Sequence, residues 1–166
     1  MKKWIVLCLM MVTAGSIAPG AYAFDGFFAA LGAEANANTR EGAAAGGSLS
    51  FGADLNRHFA LGAKAVFSHD FNAIGNLEPA AFLRWFPLPS NGLFLQGEIG
   101  GSFFFEDGDS YPSILGGIGA GWRLVLGERF YLEPSVRGGY PFVWAGGIMF
   151  GVLIPGNSQG GDTNEK

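Results

Sequence analysis

The sequence predicts an all-β protein, folded as an eight-stranded antiparallel up-and-down transmembrane β-barrel. Three observations lead to this prediction: a low charge content, an alternation of apolar and polar residues with period two, and the lack of a long apolar run after residue 23. Charged residues make up 14% of the chain, against roughly 25% in ordinary soluble proteins. The low charge content indicates that something other than water covers much of the surface.

Residues 1–23 are predicted to be a secretory signal peptide that is cleaved after Ala23. Lys2 and Lys3 give the positive start, residues 4–12 supply the apolar stretch, and residues 21–23 match a small-x-small cleavage site. The lone cysteine, Cys8, lies within this stretch and follows a leucine, where a lipidation site needs a small residue. The mature chain is therefore expected to have neither disulfides nor thiolate metal sites.

The mature chain is acidic. Without Lys2 and Lys3 it carries 8 basic and 14 acidic residues, a formal charge of −6. A nucleic-acid partner is excluded by this balance, because phosphates are neutralised by a basic face. The length allows one domain, predicted as a barrel over residues 24–154.

Period-two alternation predicts eight strands in the mature chain. In the seventh, for example, Phe130, Leu132 and Val136 share one side, and Glu133 and Arg137 share the other. The predicted strands are 27–35, 45–56, 59–68, 77–86, 93–105, 113–126, 130–138 and 142–154.

The polarity of the two faces predicts which one points outward. The polar face carries isolated charges among glycine, serine and alanine, whereas a soluble barrel would need a charge-rich face toward water. The other face has no polar side chain within the predicted strands, which is typical of a barrel with lipid outside and a polar lumen. Closure is required because an open sheet edge in hydrocarbon leaves backbone groups unpaired. Alternation alone leaves open whether the apolar face is instead the core of a soluble protein.

Outward-facing aromatic residues are predicted to form two belts, as at the interfaces of membrane barrels. The first belt contains Phe27, Phe51, Phe59, Trp85, Trp122, Phe130 and Phe150. The second contains Phe67, Phe103, Phe105, Phe142 and Trp144.

A single membrane-spanning helix is the main alternative. Residues 138–155 are free of charge, but they contain Pro141, Gly146, Gly147 and Gly151, which destabilise a helix in lipid. Their unbroken apolar core, 142–154, is short for a span.

The connections are predicted to alternate between two ends of the barrel, with the mature N-terminus in the periplasm. The predicted inner turns are 56–58, 87–92 and 127–129, all rich in turn-forming residues. The predicted outer loops are 36–44, 69–76, 106–112 and 139–141. Residues 155–166 are polar and glycine-rich and are expected to be a disordered periplasmic tail.

Glycine-rich strand stretches, such as residues 97–101 and 116–121 with Trp122 after them, accompany this architecture. In these features the chain resembles the small eight-stranded outer-membrane proteins, the OmpA/OmpX-like and OmpW-like barrels. The resemblance implies a bacterial outer-membrane location and outer-membrane lipid as the main partner. It also implies that periplasmic chaperones and the barrel-assembly machinery act during biogenesis. A monomer is expected.

Nine charged residues point to the lumen in the predicted register and form the candidate site: Glu34, Asp54, Lys64, Glu78, Arg84, Glu98, Arg123, Glu133 and Arg137. They predict either internal salt bridges that plug a narrow barrel or the lining of a selective channel. Unpaired charges in a confined lumen are costly, so the four bases are expected to pair with the acids. The predicted function is therefore a non-enzymatic envelope or surface protein with a mostly plugged lumen. The alternative is a narrow channel for water, ions or small, including apolar, solutes.

Other motifs predict no catalytic, cofactor-binding or metal site. The glycine run 116–121 lacks the spacing of a dinucleotide fingerprint and lies in a strand. Residues 106–109 are acidic but do not match a calcium loop, so a solvated surface turn is expected. Ser68 and His69 suggest a lipid hydrolase, the third alternative, but adjacent strand residues point to opposite faces and cannot easily share a proton.

Overall fold

The computed structural model describes residues 26–38, 42–70, 74–106 and 108–156. These residues form nine strand segments and one short 3-10 helix. The predicted signal peptide, residues 1–23, and residues 157–166 of the predicted tail lie outside the described residues. The segments are β1 (Gly26–Asn38), β2 (Gly42–Asp54), β3 (Phe59–Asp70), β4 (Gly75–Leu88), the 3-10 helix Pro89–Asn91, β5 (Leu93–Glu106), β6 (Asp109–Trp122), β7 (Leu124–Leu126), β8 (Phe130–Tyr140) and β9 (Phe142–Pro155).

The strands close into one antiparallel barrel. Consecutive strands pair from β1 to β6, β8 pairs with both β6 and β9, and β9 returns to β1. Following paired residues once around the wall leads from Phe27 to Ala37, ten residues further along β1, through Ala53, Leu61, Leu83, Gly97, Ile118, Gly138 and Trp144. This stagger tilts the strands as closure of a narrow barrel requires. The predicted fold class is confirmed.

β6 and β7 are two parts of a single barrel strand. β6 ends at Trp122, β7 begins at Leu124, and both pair with β8 in one continuous register. Pairing with β8 is missing at Trp122 and Arg123, and in this register Trp122 lies opposite Pro134, which has no N–H to donate. Pro79 has the same effect in β4. Pairing with β5 is interrupted beside Pro79, whereas pairing with β3 continues. The ring nitrogen of a strand proline thus marks the side on which the ladder is lost.

Side chains alternate between the interior and the outer surface. On β4, Phe82, Arg84 and Phe86 are buried, whereas Leu83 and Trp85 are exposed. The exposed phenylalanines and tryptophans lie near the two barrel ends: Phe27, Phe51, Phe59, Trp85, Phe130 and Phe150 at one, and Phe67, Phe103, Phe105 and Trp144 at the other. Trp122 is half-buried and donates its indole N–H to the carbonyl of Asn91 at 2.6 Å.

The prediction that Phe142 faces outward is wrong. Its side chain is fully buried, and its ring centroid lies 3.9 Å from Cζ of Arg137 inside the barrel. The register between β9 and β1 shifts at this end, and Val143 and Trp144 are both exposed. Such a bulge inserts one residue and reverses the parity on either side of it, so extrapolating the alternation from the middle of β9 assigns Phe142 to the wrong face.

The four predicted outer loops are too long. β1 continues to Asn38, β3 to Asp70, β5 to Glu106 and β8 to Tyr140. The returning strands β2, β4 and β6 begin two to four residues early, whereas β9 begins at Phe142 as predicted. Residues 42–44 consist of glycine and alanine and give no alternation signal, although their main chain pairs with β1 like that of any other residue. In the alternative helix segment, residues 138–140 belong to β8 and residues 142–155 form β9. The described ranges contain no helix that is long and apolar enough to span a bilayer.

The predicted inner turns lie where the strands reverse. Asn56 Oδ1 accepts the backbone N–H groups of His58 at 2.8 Å and Phe59 at 3.0 Å. Gly92 and Gly127 have φ values of 71° and 70°, which a residue with a Cβ adopts only at a cost.

Aromatic rings cover several interior glycines. A Cβ added to Gly121 would contact Cζ of Phe94, and one added to Gly151 would contact the ring of Tyr131. Phe82 lies in the same way over Gly62. These rings belong to one buried cluster in the inner half of the barrel, which holds Phe28, Ala30, Ala60, Phe82, Phe86, Phe94, Tyr131, Met149 and Leu153.

Gly121→Ala is expected to lower the free energy of unfolding by about 1–3 kcal/mol, because overpacking displaces Phe94 and the wall beside it. The measurement is urea unfolding in lipid vesicles, followed by tryptophan fluorescence. Gly116→Ala on the same strand is the matched control, since a Cβ there meets nothing within 4 Å, and its effect should stay within about 0.5 kcal/mol. Equal effects of the two substitutions would contradict this packing.

Candidate functional site

The candidate site is the charged interior of the barrel. All nine residues of the predicted site point into the lumen, from β1 (Glu34), β2 (Asp54), β3 (Lys64), β4 (Glu78, Arg84), β5 (Glu98), the β6–β7 link (Arg123) and β8 (Glu133, Arg137). Their side chains are each at most 9% exposed. Each of the nine has at least one partner of opposite charge, and they form two clusters along the barrel.

The inner cluster, Asp54, Arg84, Arg123 and Glu133, lies toward the inner turns. Arg84 Nη2 lies 2.9 Å from Glu133 Oε1, and Arg123 Nε lies 3.3 Å from Glu133 Oε2. Arg123 Nη1 also contacts both carboxylate oxygens of Asp54, at 3.1 and 3.2 Å. Two bases thus meet two acids, and the inner cluster is formally neutral.

Aromatic rings enclose the two guanidinium groups of the inner cluster. Arg84 Cζ lies 4.0 Å from the ring centroid of Phe94. Arg123 Cζ lies 4.5 Å from the centroid of Phe28 and 5.0 Å from that of Tyr131. These are cation–π distances, and such contacts stabilise a desolvated cation that water no longer reaches.

The middle cluster consists of Glu34, Lys64, Glu78, Glu98 and Arg137. Arg137 contacts three carboxylates: Glu34 at 2.6 Å, Glu98 at 2.7 Å, and Glu78 through a short contact from Nη2. Lys64 Nζ pairs with the other oxygen of Glu34 at 2.5 Å. With two bases and three acids, this cluster carries a formal charge of −1, and Arg137 is its centre.

Gln96 joins the two clusters. Its carbonyl oxygen accepts hydrogen bonds from Arg84 Nε at 3.1 Å and Nη2 at 2.9 Å, and its amide donates to Glu98 Oε2 at 3.2 Å. The sequence prediction does not include Gln96, although its position on the inward parity of β5 is a usable signal. A cavity of about 20 Å³ lies where the clusters meet, and Lys64, Arg84, Glu133 and Arg137 are among its lining residues. That volume holds about one water molecule.

An outer polar layer lies beyond the middle cluster. Asn36 Nδ2 donates to Ser68 Oγ at 3.2 Å, Ser102 Oγ donates to Asn76 Oδ1 at 2.9 Å, and Asn76 Nδ2 donates to Glu78 at 3.0 Å. Asn36 and Asn76 fall in predicted loops, so the sequence analysis does not assign them to the lumen. Continuing the alternation one step beyond the predicted strand ends would have found both.

The remaining motifs form no catalytic or metal-binding arrangement among the described residues. Ser68 is fully buried inside the barrel, whereas His69 is exposed on the outer face. The described residues contain no group of three or more His, Cys, Asp or Glu that could hold a metal ion. In the acidic segment 106–109, residue 107 lies outside the described residues. The glycine run 116–121 lies in β6 and does not lead into a helix.

Comparison with known proteins finds likeness in structure only. No family model matches the sequence, and no curated protein matches it. The outer-membrane protein OprG from Pseudomonas aeruginosa superposes with a TM-score of 0.62 at 14% identity, over 82% of this chain and 99% of that one.

Two further solved structures share the architecture. Neisserial surface protein A (NspA) gives a TM-score of 0.51 at 16% identity, over 78% of this chain and 96% of that one. Ail, the attachment invasion locus protein of Yersinia pestis, solved with the heparin analogue sucrose octasulfate, gives 0.51 at 14% identity, over 78% and 98%. The predicted resemblance is thereby confirmed at the level of the fold. The chain has the fold of the small eight-stranded outer-membrane β-barrels.

Proposed function

We propose that this chain is an integral protein of the bacterial outer membrane and acts as a non-enzymatic structural element of the envelope, with a plugged lumen. The observation that carries this proposal is the continuous network of ion pairs and hydrogen bonds from Asp54 through Gln96 to Lys64. A buried charge without a partner is strongly destabilising, and each of the nine charged side chains in this network has at least one partner of opposite charge. The space between the clusters accommodates about one water molecule, which is too little for a hydrated ion.

The outer surface supports the membrane location. Large apolar side chains point outward in the middle of the wall, among them Leu31 at 67%, Ile99 at 69% and Ile118 at 77% exposure. A soluble protein rarely exposes such a continuous apolar surface. Placed in a bilayer with both chain termini in the periplasm, this surface contacts acyl chains, and the aromatic residues of the two ends lie at the interfaces.

A non-enzymatic role agrees with the placement of the candidate catalytic residues. Ser68 is inside the wall and bound to Asn36, while His69 is on the other face. A nucleophile and its general base must lie within hydrogen-bonding reach of each other. This pair therefore does not support the lipid hydrolase.

The refolded protein is expected to show no stepwise conductance in planar lipid bilayers, because the two salt-bridge clusters and the side chains packed around them block the lumen. The control is a larger porin incorporated in the same bilayers, which must give steps. Heat-modifiable gel migration of the same sample verifies that the barrel is folded.

A narrow channel is the second candidate, favoured by the small cavity between the two clusters and by the charged residues that line it. Discrete conductance steps in the wild type that change in Arg84→Gln or Arg123→Gln would support the channel and contradict the plug. These substitutions neutralise one member of the inner cluster each, so they alter the charge of the pathway.

A further inference from the structure

β6 is longer than the neighbour that covers it on one side. It pairs with β5 along its whole length, Asp109–Trp122, but with β8 only over residues 116–121. β8 ends at Tyr140, beside Gly116. The β5–β6 hairpin therefore continues toward the outer end of the barrel past the last residue of β8.

Pro112 shows which backbone groups face this open side. The β5–β6 ladder is uninterrupted at Pro112, whereas Pro79 and Pro134 each interrupt the ladder that their ring nitrogen faces. The nitrogen of Pro112 must therefore point away from β5. Backbone N–H and C=O groups alternate sides along a strand. The backbone groups of Ser110 and Ile114 therefore also point away from β5. Gly116 fits this parity, because its carbonyl lies against Gly139 of β8.

The open side of β6 offers hydrogen-bonding groups to an extended chain. It presents the carbonyls of Ser110, Pro112 and Ile114 and the N–H groups of Ser110 and Ile114, and no described strand pairs with these three residues on that side. The Ile114 carbonyl receives one long contact, from Ser113 Oγ at 3.5 Å. Such an edge accepts a further strand through its main chain.

We propose that this edge binds an extended, basic peptide segment of another protein at the cell surface. The preference for a basic peptide follows from the acidic charge of the β5–β6 hairpin. Glu106 and Asp109 are exposed at its tip, and the sequence has no Lys or Arg between residues 93 and 122. A peptide with lysine or arginine beside its strand-forming residues would complement both the carboxylates and the surplus of backbone acceptors.

Other occupants of the edge fit less well. Two copies in one membrane have their strands in the same up-and-down sense, so their β6 edges cannot pair antiparallel. The C-terminal segment of this chain follows Pro155, which pairs with Gly26 at the opposite end of the barrel. To reach the β6 edge, that segment would have to cross the bilayer.

The test is peptide binding to the refolded full barrel in detergent, which does not depend on how the barrel sits in a membrane. The probe is a fluorescent seven-residue peptide of alternating valine and threonine with a lysine at each end, followed by anisotropy. We expect saturable binding that weakens at least tenfold when alternate backbone nitrogens of the peptide are methylated. Binding should weaken severalfold in the Glu106→Gln, Asp109→Asn double variant. No saturable binding, or binding indifferent to methylation, would overturn the proposal.

Substitutions on β6 locate the site. Ile114→Pro removes an edge N–H without removing a bond to β5, and it should weaken binding about two- to tenfold, the worth of one hydrogen bond. Ile114→Ala keeps the N–H and is the matched control. Pro112→Ala adds a donor and should strengthen binding by a similar factor, which keeps the proposal testable if Ile114→Pro does not fold. An unchanged affinity in Pro112→Ala would place the peptide elsewhere and refute the assignment.

Discussion

Arg137→Met is expected to lower the free energy of unfolding by about 3–5 kcal/mol, the cost of breaking a buried ion pair by removing one partner. Arg137 is the centre of the middle cluster and contacts Glu34, Glu78 and Glu98. Methionine fills a similar volume, so the effect reports charge rather than an empty space. The measurement is urea unfolding in lipid vesicles, followed by tryptophan fluorescence.

Each of the three carboxylates keeps one other hydrogen-bond donor in Arg137→Met. The loss in the free energy of unfolding is therefore expected to stay within about 3–5 kcal/mol. Glu34 keeps Lys64, Glu78 keeps Asn76 and Glu98 keeps Gln96. None of these contacts replaces the lost guanidinium, and the middle cluster changes from a formal charge of −1 to −2 in a confined space. The barrel is therefore expected to fold with reduced stability.

Two further variants separate loss of charge pairing from loss of packing. Adding Glu78→Gln and Glu98→Gln to Arg137→Met removes the two uncompensated charges and should restore most of the lost stability. Arg129→Met changes an exposed residue in the β7–β8 turn, and it should alter stability by no more than about 0.5 kcal/mol. If Arg137→Met cost no more than Arg129→Met, the lumen would be hydrated and the plug would be wrong.

The sequence is sufficient to predict the barrel because its two faces differ in chemistry along most of each strand. Isolated charges such as Lys64 on β3 and Glu133 on β8 fix the inward parity, and the apolar neighbours then point outward. Where a strand has one charged residue, that residue sets the inward parity of all the others in the strand, since the side-chain period is two.

Sequence and structure differ where that alternation is missing or broken. Outer strand ends made of alanine and glycine, such as residues 42–44, carry no alternation, so they are assigned to a loop. The bulge at Val143 reverses the parity, and this places Phe142 on the wrong face. The sequence also does not predict which acid pairs with which base, because these pairs depend on the stagger of the strands in the closed barrel.

Leu31→Arg is expected to destabilise the membrane-inserted barrel by about 2–4 kcal/mol, the cost of a basic side chain at the bilayer midplane on the lipid face of a barrel. Leu31 lies near the middle of β1 and is 67% exposed. Urea unfolding in vesicles measures the effect. In a water-soluble protein the same change at an exposed position would be close to neutral. The size of the change in the free energy of unfolding therefore distinguishes lipid from water outside the barrel.

The matched control is Ile154→Arg near the end of β9. Ile154 is 47% exposed and pairs with Phe27 at the inner end of the barrel. The cost of a basic residue falls to about 0–1 kcal/mol near the interface, because a long side chain there reaches the headgroups. A membrane barrel therefore requires a large difference between the two variants. If both were neutral, or if the variants and the wild type stayed folded and monomeric in buffer without any amphiphile, the outward apolar wall would not face lipid. The charged residues in the lumen could then not be interpreted as the plug of a membrane barrel.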